Sequence, residues 1–271
     1  MHSLHHAACQ VLVANTPDDK TARAHDLARL WRENALSWDR PEDKSAENEA
    51  PTHPGRPDAP ELVSPRDMGR RRLGSQKGRC ALLHAIAHIE FNAINLAADM
   101  VARYAQDLRI ADEVRAEFIT DWVGVCDDEA RHFTMINTRL IELESHYGAF
   151  PAHNGLWEAA ISTMDDVAAR LVVAPMVLEA RGLDVTPNMI RNLEKVDDIR
   201  SANILKTIYE EEIGHVAAGA RWFLHICERE NRENAKYFKI LLDKHFKGLL
   251  KPPFNEEARE KAGLPLSFYK P

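Results

Sequence analysis

Two short stretches of the sequence place a glutamate three residues before a histidine. In residues 128–132 (DEARH) the pair is Glu129 and His132, and in residues 211–215 (EEIGH) it is Glu212 and His215. Residues three apart lie on one face of an α-helix, so each pair can offer a carboxylate and an imidazole to the same point. Two such helices, with one glutamate from each of two others, supply the ligands of a dimetal carboxylate centre.

The elements that must position these pairs are four predicted helices. They span about residues 80–104, 112–146, 156–181 and 197–229, and each carries an apolar stripe at helical spacing. Glu90 and Glu179 lie on the stripes of the first and third helices, where a charged side chain is costly unless it is paired or metal-bound. The predicted metal ligands are therefore Glu90, Glu129, His132, Glu179, Glu212 and His215.

The chemistry explains this choice of residues. Two divalent metal ions bring four positive charges into an apolar interior, and four carboxylates neutralise them, some of which can bridge both ions. One imidazole for each ion suits iron, and manganese or zinc are the alternatives. We predict two bound metal ions that keep open coordination positions.

If the first two helices pack antiparallel, Glu90 and Glu129 lie at the same height along the helix axes. Glu90 lies about 15 residues before the end of its helix and Glu129 about 17 after the start of the next, at the same rise per residue. The second pair fits less well, because Glu179 lies at the end of its predicted helix while Glu212 lies roughly 25 residues beyond Pro187. The mismatch shrinks if residues 187–196 form a separate short helix and the fourth helix begins near Asp197. Asp165 or Asp166 therefore stays open as an alternative to Glu179. Pro175 is expected to kink the helix before Glu179.

Several neighbours of the predicted ligands are candidates for further roles. Tyr209 shares a face with Glu212 and is either a redox-active catalytic residue or a core tyrosine. Asp128, Arg131 and Glu211 either support the ligating histidines by hydrogen bonds or form ordinary helix-face ion pairs. Entrance or substrate contacts are expected from His153, for which a helix-capping turn is the alternative, and from Arg181.

Other residues that could do chemistry are interpreted as structural. His84 and His88 share a face that is not that of Glu90, which indicates surface or supporting residues. Cys126, one turn before Glu129, is interpreted as a small core residue. The arginine cluster at residues 70–72 either lies on a solvated helix approach or binds an anionic substrate or RNA.

No strand-like alternation of useful length occurs, so the predicted fold class is all-α. One helix is expected within residues 1–40, followed by a proline-rich segment. The predicted organisation is an N-terminal helix and arm over 1–75, a four-helix bundle with the dimetal site over 76–232, and a C-terminal extension over 233–271 that packs on the bundle.

Composition narrows the class of protein. The 271 residues carry a formal net charge of −7, which argues against a general nucleic-acid or membrane binder. The four cysteines are scattered without a C-x-x-C pair, which indicates a reducing compartment. No membrane-spanning run and no secretory signal are apparent, so a cytoplasmic protein is expected.

These motifs resemble the ferritin-like superfamily of di-iron carboxylate proteins. More narrowly, four stretches resemble a mainly bacterial ferritin-like family of unassigned function: residues 83–90 (LHAIAHIE), 153–157 (HNGLW), 179–184 (EARGLD) and 212–216 (EIGHV). The resemblance covers about residues 56–260. It implies a ferritin-like bundle with a di-iron-type site at the six predicted ligands. The cysteine-rich module of rubrerythrins is absent, which weakens a peroxidase interpretation.

The leading functional hypothesis is an O2-activating oxidase or hydroxylase of a small organic substrate. It needs an external electron donor, since no dinucleotide-binding glycine motif or cysteine cluster is present. A monomer or small homo-oligomer is expected. The alternatives are iron storage or detoxification, a tRNA-modifying hydroxylase, and an interaction protein with a relic site.

Overall fold

The computed structural model describes residues 2–38, 49–67 and 73–270, and almost all of its regular structure is helical. This confirms the all-α class, while the ferritin-like bundle remains a prediction. The chain divides into two compact units, Met1–Trp157 and Glu158–Pro271, and the predicted domain boundaries stay predictions. The arginine cluster at residues 70–72 lies outside the described residues.

The first unit is built around a long antiparallel helix pair, α3 and α4. Helix α1 packs on α3, and helix α2 packs on α4. Two short parallel strands, β1 (His2–Ser3) and β2 (Leu36–Ser37), join the two ends of the α1–α2 segment. The helices are Leu4–Val13 (α1), Pro17–Arg32 (α2), Gln76–Tyr104 (α3) and Arg115–Glu142 (α4).

Side-chain caps begin three of these helices. Thr16 accepts a hydrogen bond from the Asp19 amide at the start of α2, and Ser75 does the same for Gly78 in α3. The prediction of a single helix before residue 40 was wrong, because α1 precedes α2. Ser3 caps α1, which is only ten residues long and gives a weak periodic signal.

Helix α3 is long and apolar enough to cross a membrane by length and composition alone. Its most apolar window has a mean hydropathy of 1.2, yet 78% of that window is buried inside the protein. Such burial is typical of a core helix. The apolar stripe of α3 therefore serves the interior that holds Glu90.

The proline-rich segment 49–67 is tied to the first unit by hydrogen bonds to backbone carbonyls. The indole of Trp157 donates to the Thr52 carbonyl at 3.1 Å, and the Gly55 amide donates to the Leu12 carbonyl at 2.8 Å. Further along, the Val63 amide donates to the Ala152 carbonyl at 2.8 Å. The segment thus lies on the body of this unit as an arm.

The second unit contains another long helical pair, formed by α7 with the segment before it and by α8. Residues Ala174–Glu179 form a π-helical segment that connects α6 directly to α7. The elements are Gly155–Ser162 (α5, which spans the division between the units), Val167–Val173 (α6), Ala180–Glu194 (α7), Ile199–Arg229 (α8), Asn234–His245 (α9), Glu256–Lys261 (α10) and Leu266–Tyr269 (α11).

The prediction of one continuous third helix over residues 156–181 was wrong in two respects, because the helix is interrupted and ends later than expected. A turn separates α5 from α6, whose first amides are capped by Asp166. The helix then continues through Gly182 and Pro187 to Glu194. Pro187 has no amide hydrogen for the Leu183 carbonyl. The side chain of Asn255 donates to that carbonyl at 3.1 Å instead, so a contact distant in sequence compensates for the proline.

This extension of the helix removes the predicted register mismatch. Glu179 lies 15 residues before the last residue of α7, and Glu212 lies 13 residues after the first residue of α8. In the first unit, Glu90 and Glu129 are each 14 residues from the facing ends of α3 and α4. Both pairs therefore place a glutamate level with an E-x-x-H motif.

Gly219 of α8 lies where this helix comes close to the side chain of Pro175. A β-carbon at Gly219 would lie 2.5 Å from the Pro175 ring, so α8 can approach the π-helical segment only because residue 219 has no side chain. The predicted distortion at Pro175 occurs as this π-helical segment, with i→i+5 geometry, immediately before α7.

Candidate metal centre

Three predicted ligands meet in the interior of the first unit, and we call them the first half-site. Glu90 comes from α3, and Glu129 and His132 come from adjacent turns of α4. His132 Nδ1 lies 3.3 Å from Glu90 Oε2 and 3.6 Å from Glu129 Oε2. The three residues offer ligand atoms within 4.8 Å of one another, so this buried cluster could hold a metal ion.

The first half-site is almost sealed from solvent. Glu129 and His132 are fully buried, and Glu90 is 3% exposed. Their neighbours on the two stripes, such as Ile94 and Phe133, are apolar and buried. Two carboxylates in such surroundings are strongly destabilising unless positive charge compensates them.

Electrostatics show what compensates the carboxylates in the protein alone. Burial favours a neutral His132, but hydrogen bonds and charge from Glu129 and Glu90 outweigh it and raise the pKa of His132 to about 11. One imidazolium against two carboxylates leaves a net charge of −1. A divalent cation bound by neutral His132 and the same carboxylates gives a net charge of zero, so the donor set fits a metal.

The second unit carries the corresponding residues, Glu179, Glu212 and His215, which we call the second half-site. His215 Nδ1 lies 3.7 Å from Glu212 Oε1, and the side chains of Glu212 and His215 are 14% and 4% exposed. Glu179 ends the π-helical segment, and its Oε2 atom is buried. The predicted alternatives have other surroundings: Asp166 caps α6, and Asp165 is exposed.

Tyr209 and Arg181 contact the C-terminal part of the second unit. The Tyr209 hydroxyl accepts a hydrogen bond from Asn255 Nδ2 at 2.9 Å. Arg181 donates to the carbonyls of Lys251 and Pro253 at 2.8 and 3.1 Å. Sequence reasoning assigned no role to Asn255. The local signal for such a residue is the Leu183 carbonyl, which has no amide partner in the helix because residue 187 is a proline.

The flanking residues of the first motif face outward. Asp128 and Arg131 form an ion pair at 2.7 Å with both side chains 40% exposed. Glu211, which flanks the second motif, is half-buried. Cys126 is fully buried and its thiol donates to the Ile94 carbonyl at 3.7 Å, in line with its interpretation as a core residue. Burial raises the pKa of that thiol.

His84 and His88 are both buried, which excludes the surface position considered for them and leaves the supporting role as a prediction. His84 Nε2 accepts from the Gly148 amide at 2.9 Å. His88 Nδ1 accepts from the Tyr147 hydroxyl at 2.8 Å, while Nε2 donates to the His153 carbonyl at 3.1 Å. His153 itself accepts from the Gly155 amide at 3.2 Å, as in the capping turn considered for it.

A protein-family model and one relative each match most of this chain. A family model described as "Protein of unknown function (DUF455)" matches residues 13–270. An "Uncharacterized protein" of Haemophilus influenzae is 40% identical over 208 residues, which are 77% of this chain and 72% of that protein. No solved structure matches the chain.

Proposed function

The chain belongs to the DUF455 family, and from the buried first half-site and the matching residues of the second we propose that it is a dimetal carboxylate protein. We further propose that it acts as an O2-activating oxidase or hydroxylase. Iron is the preferred metal, because carboxylate oxygens with one imidazole for each ion suit iron and leave positions open. The predicted ferritin-like bundle would bring both half-sites to one centre.

One observation carries this proposal. Ligand atoms of Glu90, Glu129 and His132 lie within 4.8 Å of one another in a buried, apolar interior. A purely structural role would be better served by apolar side chains of similar volume, since buried charges contribute little net stability. The repetition of this residue pattern at the same helix level in the second unit supports a second metal ion.

The residues have distinct tasks in this proposal. When bound, a redox-active metal pair supplies the electrons that reduce O2 during oxidation of an organic substrate. Glu90, Glu129 and His132 hold one ion away from solvent. Glu179, Glu212 and His215 hold the other, and the 14% exposure of Glu212 makes this half-site the more accessible one. An external donor must restore the electrons.

Metal analysis of anaerobically purified, iron-reconstituted protein tests the proposal. We expect about two metal ions per chain and an optical change on addition of O2. His132→Ala and His215→Ala should each lower the metal content by about one ion, since each removes the only imidazole of its half-site. His225→Ala is the matched control, because His225 lies on α8 with its ring against Trp222.

Less than one metal ion per chain, with the same value in all three variants, would refute the metal centre. Two metal ions that leave the optical spectrum unchanged with O2 would refute the oxidase and keep the metal site. A large spherical assembly by gel filtration would favour iron storage instead. Salt-dependent binding of tRNA would favour the RNA-modifying alternative.

A further inference from the structure

We propose that the outward face of α9, with the loop that follows it, is the docking surface for an acidic electron-carrier protein. The proposal rests on the proposed function, because an O2-activating oxidase or hydroxylase needs an external electron donor. The surface lies wholly within the second unit, which also contains the residues of the second half-site. We call it the lysine face, and its five lysines are all exposed: Lys236, Lys239, Lys244, Lys247 and Lys251.

Helix geometry places the charges on one side of α9. Phe238 and Leu241 are buried, and they attach the helix to the rest of the second unit. At 100° per residue, Lys236, Lys239 and Lys244 lie within an arc of about 140° on the side of the helix opposite Phe238. The buried side of α9 therefore holds the helix in place, while the three lysines face solvent.

The positive charge of the lysine face is not neutralised by its surroundings. Residues 234–251 contain five lysines, one aspartate (Asp243) and no glutamate or arginine, which gives this stretch a formal charge of +4. Within the described part of the chain, none of the five lysines forms an ion pair with a carboxylate. The glutamates that follow in sequence are paired elsewhere, Glu256 with Lys270 and Glu257 with Lys261.

Charge complementarity favours an acidic partner at this face. The whole chain has a formal net charge of −7, so an acidic protein is repelled by most of the surface and attracted to the lysine face. Such a field raises the encounter rate and also sets the orientation of the partner. Ile240 and Leu249 lie among the lysines and are 51% and 79% exposed. Apolar contacts surrounded by a polar rim are typical of a protein interface.

A membrane and an RNA fit the lysine face less well than a protein does. A helix that binds a membrane surface inserts its apolar side into the lipid, but the apolar side of α9 is buried in the protein. RNA-binding surfaces use stacking aromatic rings and arginines. The rings of Tyr237 and Phe238 instead pack against Phe223, with centroids 5.9 and 6.1 Å away, and residues 234–251 contain no arginine.

Packed aromatic rings lead from α9 towards the second half-site. Phe223, which contacts both Tyr237 and Phe238, lies on α8 eight residues after His215, a rise of about 12 Å. In each encounter the carrier is oxidised by one electron, and the metal centre is reduced by one. Hydroxylation of one substrate molecule consumes two such electrons and two protons from solvent, because the second oxygen atom of O2 leaves as water.

Calorimetry with chelator-treated protein tests the docking surface separately from the metal centre. The probes are two acidic one-electron carriers, a [2Fe–2S] ferredoxin and a flavodoxin, and the competing partners are tRNA and vesicles of anionic lipid. We expect at least one carrier to bind at about 20 mM salt, with a Kd that rises at least about tenfold at about 300 mM salt. Because no metal is present in this assay, failure of the metal proposal would leave the result unchanged.

Charge reversal locates the surface on α9. The combined substitutions Lys236→Glu, Lys239→Glu and Lys244→Glu should weaken carrier binding at least about tenfold, because three attractive contacts become repulsive. The matched control makes the same change of charge at three exposed lysines outside the face and should bind nearly like the wild type: Lys77→Glu, Lys195→Glu and Lys206→Glu. Circular dichroism verifies that both triple variants are folded.

Electron transfer to metal-loaded protein tests the role of the partner. The reduced carrier should reduce the metal centre at least about tenfold more slowly in the α9 triple variant than in the control. Photoreduction by a deazaflavin, which needs no docking surface, should be the same in both. Absence of carrier binding at low salt, equal losses in the two triple variants, equal rates of reduction by the carrier, or tighter binding of tRNA or vesicles than of the carriers would overturn the proposal.

Discussion

The contact between Gly219 of α8 and Pro175 of the π-helical segment gives the sharpest stability prediction. Gly219→Ala gains about 1 kcal/mol of helix propensity. The new β-carbon would lie 2.5 Å from the Pro175 ring, so the helices must separate. Overpacking of this kind costs about 1–3 kcal/mol. The net expectation is a destabilisation of about 0–2 kcal/mol, with Glu179 displaced together with the segment that carries it.

Two other helix glycines provide matched controls. A β-carbon at Gly214 in α8 or at Gly124 in α4 would meet no atom within 4 Å. Alanine at either position should therefore raise the free energy of unfolding by about 1 kcal/mol. Urea denaturation followed by circular dichroism, on metal-free protein so that metal binding does not contribute, measures all three variants.

A Gly219→Ala variant as stable as Gly214→Ala would refute the close approach. The contact can also be isolated with Pro175→Ala, which removes the ring that the new methyl group meets. The double variant should recover most of the loss, with a coupling energy of about 1–2 kcal/mol. Additive effects of the two substitutions would show that the strain lies elsewhere.

Further predictions concern other buried groups. Lys20 donates to the carbonyls of Val11 and Leu12, and burial lowers its pKa to about 7, so the folded state binds fewer protons than the unfolded state above that pH. The stability of the wild type relative to Lys20→Met should therefore rise by up to about 1.4 kcal/mol per pH unit between pH 7 and 10, and a flat difference in denaturation midpoints would contradict this. Asn255→Leu should lower the free energy of unfolding by about 1–3 kcal/mol, because the Leu183 carbonyl and the Tyr209 hydroxyl lose their hydrogen-bond donor. Limited proteolysis after residue 245 should also be faster, and unchanged cleavage would argue against a role of Asn255 in holding the C-terminal part on α7 and α8. Arg259→Met removes one partner of the buried pair with Asp184, 2.7 Å apart, and should cost about 3–5 kcal/mol in the same denaturation assay, whereas a loss below 1 kcal/mol would contradict the pairing.

The sequence predicted the long helices and the positions of the half-site residues because both depend on local periodicity. Glu90, Glu129 and His132 stand out as charged residues on apolar stripes, and the structure brings these three together. The predicted level of Glu90 and Glu129 needed only the rise per residue and a short connection. These features could be predicted without knowledge of any distant contact.

The errors arose where a distant contact overrides a local signal. Gly182 and Pro187 are ordinary helix terminators, yet the helix passes through both because Asn255, some 70 residues later, donates to the carbonyl that Pro187 leaves open. A surface position was considered for His84 and His88 because nothing local reveals that the Tyr147 ring packs against both imidazoles.

The π-helical segment determines how α7 responds to a change in the number of residues before it. Ala174–Glu179 is wound more widely than the α-helices on either side, so it takes up residues without adding the corresponding turn. Loss of one residue between Pro175 and Leu178 would convert the segment to an α-helix without rotating the following side chains of α7, because the π turn had taken up that residue. Loss of one residue within α7 has no such compensation and would rotate one part of the helix by about 100° relative to the other. A single-codon deletion in the π-helical segment should therefore be less damaging than one within α7.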